Sequence, residues 1–188
     1  MKKILVFAGS IRSGALSGKL AAHVARELAL TNAETTLISL ADYEMPLYNG
    51  DLEKEQGVPE SAKKLKGMML AHQGIYIASP EYNASMPPLL KNAIDWVSRA
   101  KEPASNPYKQ CTFALGATSD GRFGGYRCLY HLRQSLELGL GALVIPEQVA
   151  IAGAGSAFDE RGGLKDEANQ KILKNQLDKL VAMAGVLA

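Results

Sequence analysis

Five short apolar runs, each separated from the next by a longer segment, constrain this chain more than any other feature. They cover Lys3 to Ala8, Glu34 to Leu40, Gln73 to Ser79, Gln110 to Ala117 and Leu140 to Ile151. The first is apolar almost throughout, the pattern of a strand buried on both faces of a parallel sheet. Helical spacing predicts helices over Leu16 to Leu30, Pro59 to Ala71, Met86 to Arg99 and Gly125 to Leu138, with a closing helix from Asp166 to about Leu187. Pro59 starts one of them, and Pro87 and Pro88 are tolerable only in the first turn of another. Met45 to Gly50 and Lys101 to Lys109 carry Pro and Asn punctuation and are read as turn and loop. Pro146 is expected to interrupt the pairing of the last strand.

Such alternation requires right-handed crossovers and helices on both faces of a parallel sheet. Five strands fit a doubly wound, flavodoxin-like α/β fold of strand order 2-1-3-4-5, which gathers the loops after strands one, three and four around one crevice. The 188 residues suffice for one filled core and are read as a single domain over 1–188. A formal net charge of +2 gives no reason to expect nucleic acid or membrane partners. Lys63, Lys64 and Lys66 form the densest basic run, read as a solvated helix face. The apolar start after Met1-Lys2-Lys3 is too short for a signal peptide, and Cys111 and Cys128 read as buried free thiols, so the expected location is cytoplasmic.

The three loops hold the unusual polar residues. The first, Gly9-Ser10-Ile11-Arg12-Ser13-Gly14-Ala15-Leu16-Ser17-Gly18, feeds a helix N-terminus. Backbone N–H groups, hydroxyls and the Arg12 fork suit one terminal phosphate; the alternative is an ordinary capped helix with Ser17 or Ser13 as N-cap. The second, Ser79-Pro80-Glu81-Tyr82-Asn83, offers an aromatic face, an amide and turn N–H groups to a planar heterocycle, with Glu81 otherwise read as solvated. The third, Ala117-Thr118-Ser119-Asp120-Gly121-Arg122-Phe123-Gly124-Gly125-Tyr126-Arg127, permits close backbone approach, with Phe123 able to cover a ligand, the alternative being a flexible surface loop. His23, His72 and His131 lie at no metal-ligand spacing, and no Gly-x-Ser-x-Gly elbow or Cys/His arrangement supplies a nucleophile. A crevice without an acid, base or nucleophile of its own points to a cofactor that carries the chemistry.

These residues resemble the NADPH-dependent FMN reductases, which include bacterial quinone, azo-dye and chromate reductases. The resemblance rests on Gly9 to Arg12, Pro46-Leu47-Tyr48, Pro80 to Asn83 with Leu90 to Trp96, and Gly121 to Arg133. It implies an enzyme with bound FMN, NADPH or NADH as donor, and small-molecule electron acceptors such as quinones. Ser10, Arg12, Leu16 and Ser17 would hold the FMN phosphate end, Pro80, Glu81, Tyr82 and Asn83 would line the ring, and Ser119 and Gly121 would approach its other edge. Where the family usually has Ser and Asn, this chain has Ala15 and Ser17, so two phosphate ligands are lost or altered. The resemblance also implies a ping-pong cycle and a homodimer or homotetramer, with the Asp42–Pro59 connection and the Arg127–Leu138 helix as candidate interfaces. Arg122 and Lys109 are the candidates for a 2′-phosphate contact, and spacing does not choose between them. The alternative is a flavodoxin-like electron carrier or FMN-binding redox sensor without NAD(P)H turnover; carriers are usually strongly acidic, unlike this chain.

Overall fold

A computed structural model of the chain describes residues 1–187. Its five strands, β1 (Lys2–Ala8), β2 (Ala33–Ile38), β3 (Gly74–Pro80), β4 (Thr112–Thr118) and β5 (Leu143–Ile151), pair in parallel in the order β2-β1-β3-β4-β5. Around them run α1 (Leu16–Ala29), α2 (Gly50–Gln56), α3 (Glu60–Leu70), α4 (Pro88–Arg99), α5 (Pro107–Gln110), α6 (Tyr126–Gln134) and α7 (Glu167–Met183). The expected doubly wound sheet is therefore the observed one. Alternate residues of β1 feed two cores: Leu5 and Phe7 pack with α3, α4 and α6, while Ile4 and Val6 pack with α1 and α7. Near-continuous apolar strands follow directly from burial on both faces.

The connections are richer than the sequence reading. Asn49-Gly50, read as a turn, starts α2 instead, because the Asn49 side chain accepts a hydrogen bond from Asp51 N–H at 2.8 Å and caps the helix. Lys101 to Lys109 ends in the short turn α5, capped in the same way by Asn106. Beyond α6 the chain continues through a π-helical turn at Ser135–Gly139. The closing helix stops at Met183 rather than near Leu187. Pro146 does interrupt pairing: Phe113 sits opposite Val144, but Leu115 sits opposite Gln148, and the proline occupies the intervening bulge.

Lys66 is a correction. It is buried rather than solvated, and its ammonium donates to the carbonyls of Ala100 at 2.7 Å and Pro103 at 2.5 Å, closing the C-terminal end of α4. His72 bridges α3 to β2, with its two ring nitrogens 2.7 Å from Met68 O and 2.9 Å from Thr36 Oγ1. Trp96 does more than pack: its indole N–H donates to Pro46 O at 2.7 Å, and its ring meets Tyr48 edge-on at 5.0 Å. Asn92 donates to the same carbonyl and accepts from Tyr48 N–H. The Pro46-Leu47-Tyr48 element is thus strapped to α4 by two residues of one helix face.

Candidate functional site

The chain leaves β1 and β3, which are neighbours, toward opposite faces of the sheet, and the space between those exits is the crevice. Gly9 closes its floor. Its N–H donates to Ala78 O at 2.8 Å, and a Cβ there would stand 3.1 Å from Leu90 and 3.3 Å from Pro87. Beyond it, Ser10 Oγ accepts from Arg12 N–H at 3.3 Å, and Ala15 N–H donates to Arg12 O at 3.0 Å, folding the loop into the start of α1. The N-cap of α1 is Ala15, which has no capping side chain, and the first turn holds no acidic residue. Neither Ser13 nor Ser17 caps this helix, so its first N–H groups are left to another acceptor.

A cavity of about 150 Å³ opens there. Ser10, Arg12, Leu16 and Ser17 line it from the first loop, Pro80, Glu81 and Tyr82 from the second, and Ser119 from the third. Asn83 and Gly121 lie outside the wall. Asn83 occupies the tip of a turn, and Gly121 N–H is turned back onto Ser119 Oγ at 3.1 Å. Two lining residues were missed by sequence reasoning, Ala15 as a wall and Thr118 at the last position of β4. Ser17 and Thr118 hold the most telling atoms: both hydroxyls are buried and lack a hydrogen-bond partner among the described residues. A buried hydroxyl without a partner costs about 1–3 kcal/mol, and of the seven such side-chain atoms among the described residues these two share one cavity wall.

The second loop is a two-residue hairpin. Tyr82 N–H donates to Ser85 O and Ser85 N–H to Tyr82 O, both at 2.9 Å, with Asn83 and Ala84 at the tip at φ of 50° and 64°. Asn tolerates this left-handed region; Ala does not readily, and such a residue costs on the order of 1–3 kcal/mol. Among the described residues the tip N–H groups of Asn83 and Ala84 make no intramolecular bond, so they face outward as donors. Tyr82 is 47% exposed, leaving its ring face open.

Glu81 is the second correction, since its side chain is 6% exposed rather than solvated. The carboxylate pairs with Arg127 and accepts from Arg127 Nε–H at 3.0 Å and from Cys128 N–H at 3.2 Å in the first turn of α6. Burial works against its charge, but the Arg127 and Cys128 donors outweigh it and hold the carboxyl below the ordinary carboxylate range. The second loop is thereby bolted to the third. The neighbouring Cys128 thiol is pushed up by burial to about 11, and Cys111 to about 12, so neither is a thiolate nucleophile at neutral pH. Among the described residues no three His, Cys, Asp or Glu side chains form a metal-holding group.

The third loop rests on the end of β5. Gly124, at φ +60°, would carry a Cβ only 2.7 Å from the backbone of Ala150 and Ala152, so no larger residue fits. Asp120 joins the same surface by accepting from Gly155 N–H at 2.7 Å. Because the folded carboxyl of Glu81 is depressed, its stabilising contribution exists above the ordinary unfolded pKa and fades as pH falls through the folded one. Glu81→Gln is expected to lower stability by about 1–3 kcal/mol near neutrality. Urea denaturation across pH should show wild type and variant converging in acid; a gap independent of pH would contradict the ionic role.

Residues 2–156 match the family described as NADPH-dependent FMN reductase. The chain is 38% identical over 180 residues to an NAD(P)H-dependent FMN reductase of Pseudomonas aeruginosa, covering 95% of this chain and 92% of that one. It is 36% identical over 134 residues to a quinone reductase of Escherichia coli, covering 71% and 69% of the two. Among solved structures, the flavoenzyme NAD(P)H:(acceptor) oxidoreductase FerB of Paracoccus denitrificans superposes with a TM-score of 0.80 at 31% identity, over 97% of this chain and 96% of that one. On the match of residues 2–156 and the identity to these relatives, the chain belongs to the NADPH-dependent FMN reductase family.

Proposed function

We propose that this protein is an NAD(P)H oxidoreductase that holds FMN in the crevice and reduces small-molecule acceptors such as quinones, the whole chain serving as one domain. The observation that carries the reading is the pair of unpartnered buried hydroxyls, Ser17 and Thr118, on a cavity wall beside the uncapped N-terminus of α1. A phosphate monoester supplies the acceptor oxygens that these groups lack, and its charge matches both Arg12 and the positive helix end. The small Ser17 and Ala15 make the pocket fit through backbone and hydroxyl donors rather than through longer side chains. FMN, when bound, supplies two-electron hydride chemistry between a nicotinamide donor and an acceptor.

The chain's own part is positioning. Ser10, Arg12 and Ser17 fix the phosphate end, and Leu16 and Pro80 close apolar walls around it. Tyr82 offers a flat face, and the free N–H groups of Asn83 and Ala84 favour negative charge at the ring edge they approach. Glu81 contributes by holding this hairpin to α6. Ser119 borders the opposite edge, and Gly121 holds the Ser119 hydroxyl from behind. No protein acid is assigned, because solvent reaches the open face beside Tyr82. Donor and acceptor take turns at that face, which gives parallel-line kinetics; intersecting lines would overturn the sequential use of one face.

The exposed apolar residues Tyr126, Tyr130 and Leu138, along α6 and the π-helical turn, support a homodimer or homotetramer. Light scattering at micromolar concentration should return a multiple of the chain mass, and a monomer mass would contradict it. Among the described residues no helix is long and apolar enough to cross a membrane. The buried, unpaired Cys111 and Cys128 support action in the reducing cytoplasm, and co-fractionation with secreted proteins would count against it.

Anaerobic mixing of FMN-loaded protein with NADPH, then NADH, tests the activity itself. The expected result is rapid bleaching of the flavin band, with the oxidised colour restored by adding a quinone. Stable flavin colour in the presence of both nucleotides would overturn the reductase reading in favour of a carrier or sensor.

A further inference from the structure

Four cationic side chains bear on where a phosphate-bearing donor could dock. Arg12 lines the cavity itself. Arg127 is neutralised by the Glu81 carboxylate. Lys109, the last-turn residue of α5, precedes β4 and so lies at the amino end of the sheet, a full strand away from the crevice. Arg122 follows β4, stands at the carboxyl end, and has no carboxylate within ion-pair distance among the described residues. The nearest acid in sequence, Asp120, is turned away to Gly155 N–H.

Arg122 is also held in place. Gly124 N–H donates to Gly121 O at 3.0 Å, so Arg122 and Phe123 form the two central positions of a tight turn. That turn is anchored on one side by Ser119 Oγ and on the other by the packing of Gly124 against β5. The Arg122 guanidinium lies 4.7 Å from the centroid of the Phe123 ring, and Phe123 is 52% exposed. A guanidinium ordered on an aromatic face, with its outer edge open, presents two things at once: a plane on which a purine stacks and a fork that matches phosphate oxygens. The Arg127 guanidinium lies on the same ring at 5.7 Å, but it is already paired with Glu81, which leaves Arg122 as the free cation of the pair.

We infer that Arg122, ordered on Phe123 in the loop that also gives Ser119 to the crevice wall, recognises the 2′-phosphate of the nicotinamide donor and makes this chain prefer NADPH to NADH. The inference rests on the reading of the crevice as a nicotinamide-dependent FMN site. NADH lacks the phosphate and would meet Arg122 only through its adenine. Loss of one charge-assisted phosphate contact corresponds to a change of about ten- to a hundredfold.

The test has two arms on FMN-loaded wild type, Arg122→Ala and Arg122→Lys. Calorimetry with 2′,5′-ADP and 5′-AMP as probes should show wild type binding the 2′-phosphorylated compound at least tenfold more tightly. That preference should vanish in Arg122→Ala and be partly restored in Arg122→Lys, which keeps the charge but not the fork. Steady-state turnover should show the ratio of kcat/KM for NADPH to that for NADH falling by the same factor in Arg122→Ala. Equal binding of the two probes by wild type, or a preference that survives in Arg122→Ala, overturns the inference, including the case in which a second subunit covers Phe123. Absence of turnover with either nucleotide would instead overturn the reductase reading, while the calorimetric arm still decides the role of Arg122.

Discussion

Everything at the site depends on adjacent strands sending the chain to opposite faces of the sheet. After β1 the chain enters α1, whose Leu20, Val24 and Leu28 join the core beneath Ile4 and Val6. After β3 it enters α4, whose Leu90, Ala93 and Ile94 join the core beneath Leu5 and Phe7. Backbone that diverges in this way leaves a crevice whose rim consists of helix-leading loops, where N–H groups have no internal partner. The two cores fix the crevice, and the loops need only supply its chemistry.

The second loop shows how that chemistry is kept in place at a local cost. A left-handed alanine at Ala84 is strained, and the strain of about 1–3 kcal/mol persists because surrounding structure over-determines the turn. Two backbone hydrogen bonds close the hairpin, and the buried Glu81 carboxylate ties its base to α6. What results is a pair of outward N–H donors set before any ligand arrives. Under the proposed function Ser17 and Thr118 follow the same logic: their hydroxyls have no partner among the described residues, and the FMN phosphate would supply one. Sites of this kind are less stable than their surroundings and depend on the rigidity of the scaffold.

Much of this was legible in the sequence, and the reasons are physical. Apolar runs of strand length alternating with helical spacing left one strand order that places three polar loops together, and that order is observed. The first-loop residues and Pro80 to Tyr82 stood out as polar or proline-stiffened stretches at the carboxyl ends of buried strands, and the family resemblance, not the spacing, gave them their ligand roles. What could not be read were pairings across long separations. Glu81 and Arg127 are 46 residues apart, so nothing local showed that the carboxylate was buried. Thr118 was read as part of the third loop, and nothing local showed that β4 ends on it with its hydroxyl buried. Lys66 belonged to a basic run that looked solvated until α4 brought two carbonyls over it. Asn49-Gly50 carried a turn signature that a capping hydrogen bond converted into a helix start.

The central claim is that two buried hydroxyls are reserved for the phosphate of FMN. Comparing FMN with riboflavin, which lacks that phosphate, measures it most directly, in wild type and in Ser17→Ala with Thr118→Val. The expected result is that the affinity ratio of FMN to riboflavin falls by at least about one to two decades in the double variant. The ligand-free variant should meanwhile keep or gain stability, since the removed hydroxyls have no partners to lose. An unchanged ratio, or a ligand-free variant that unfolds more easily than wild type, would contradict the claim.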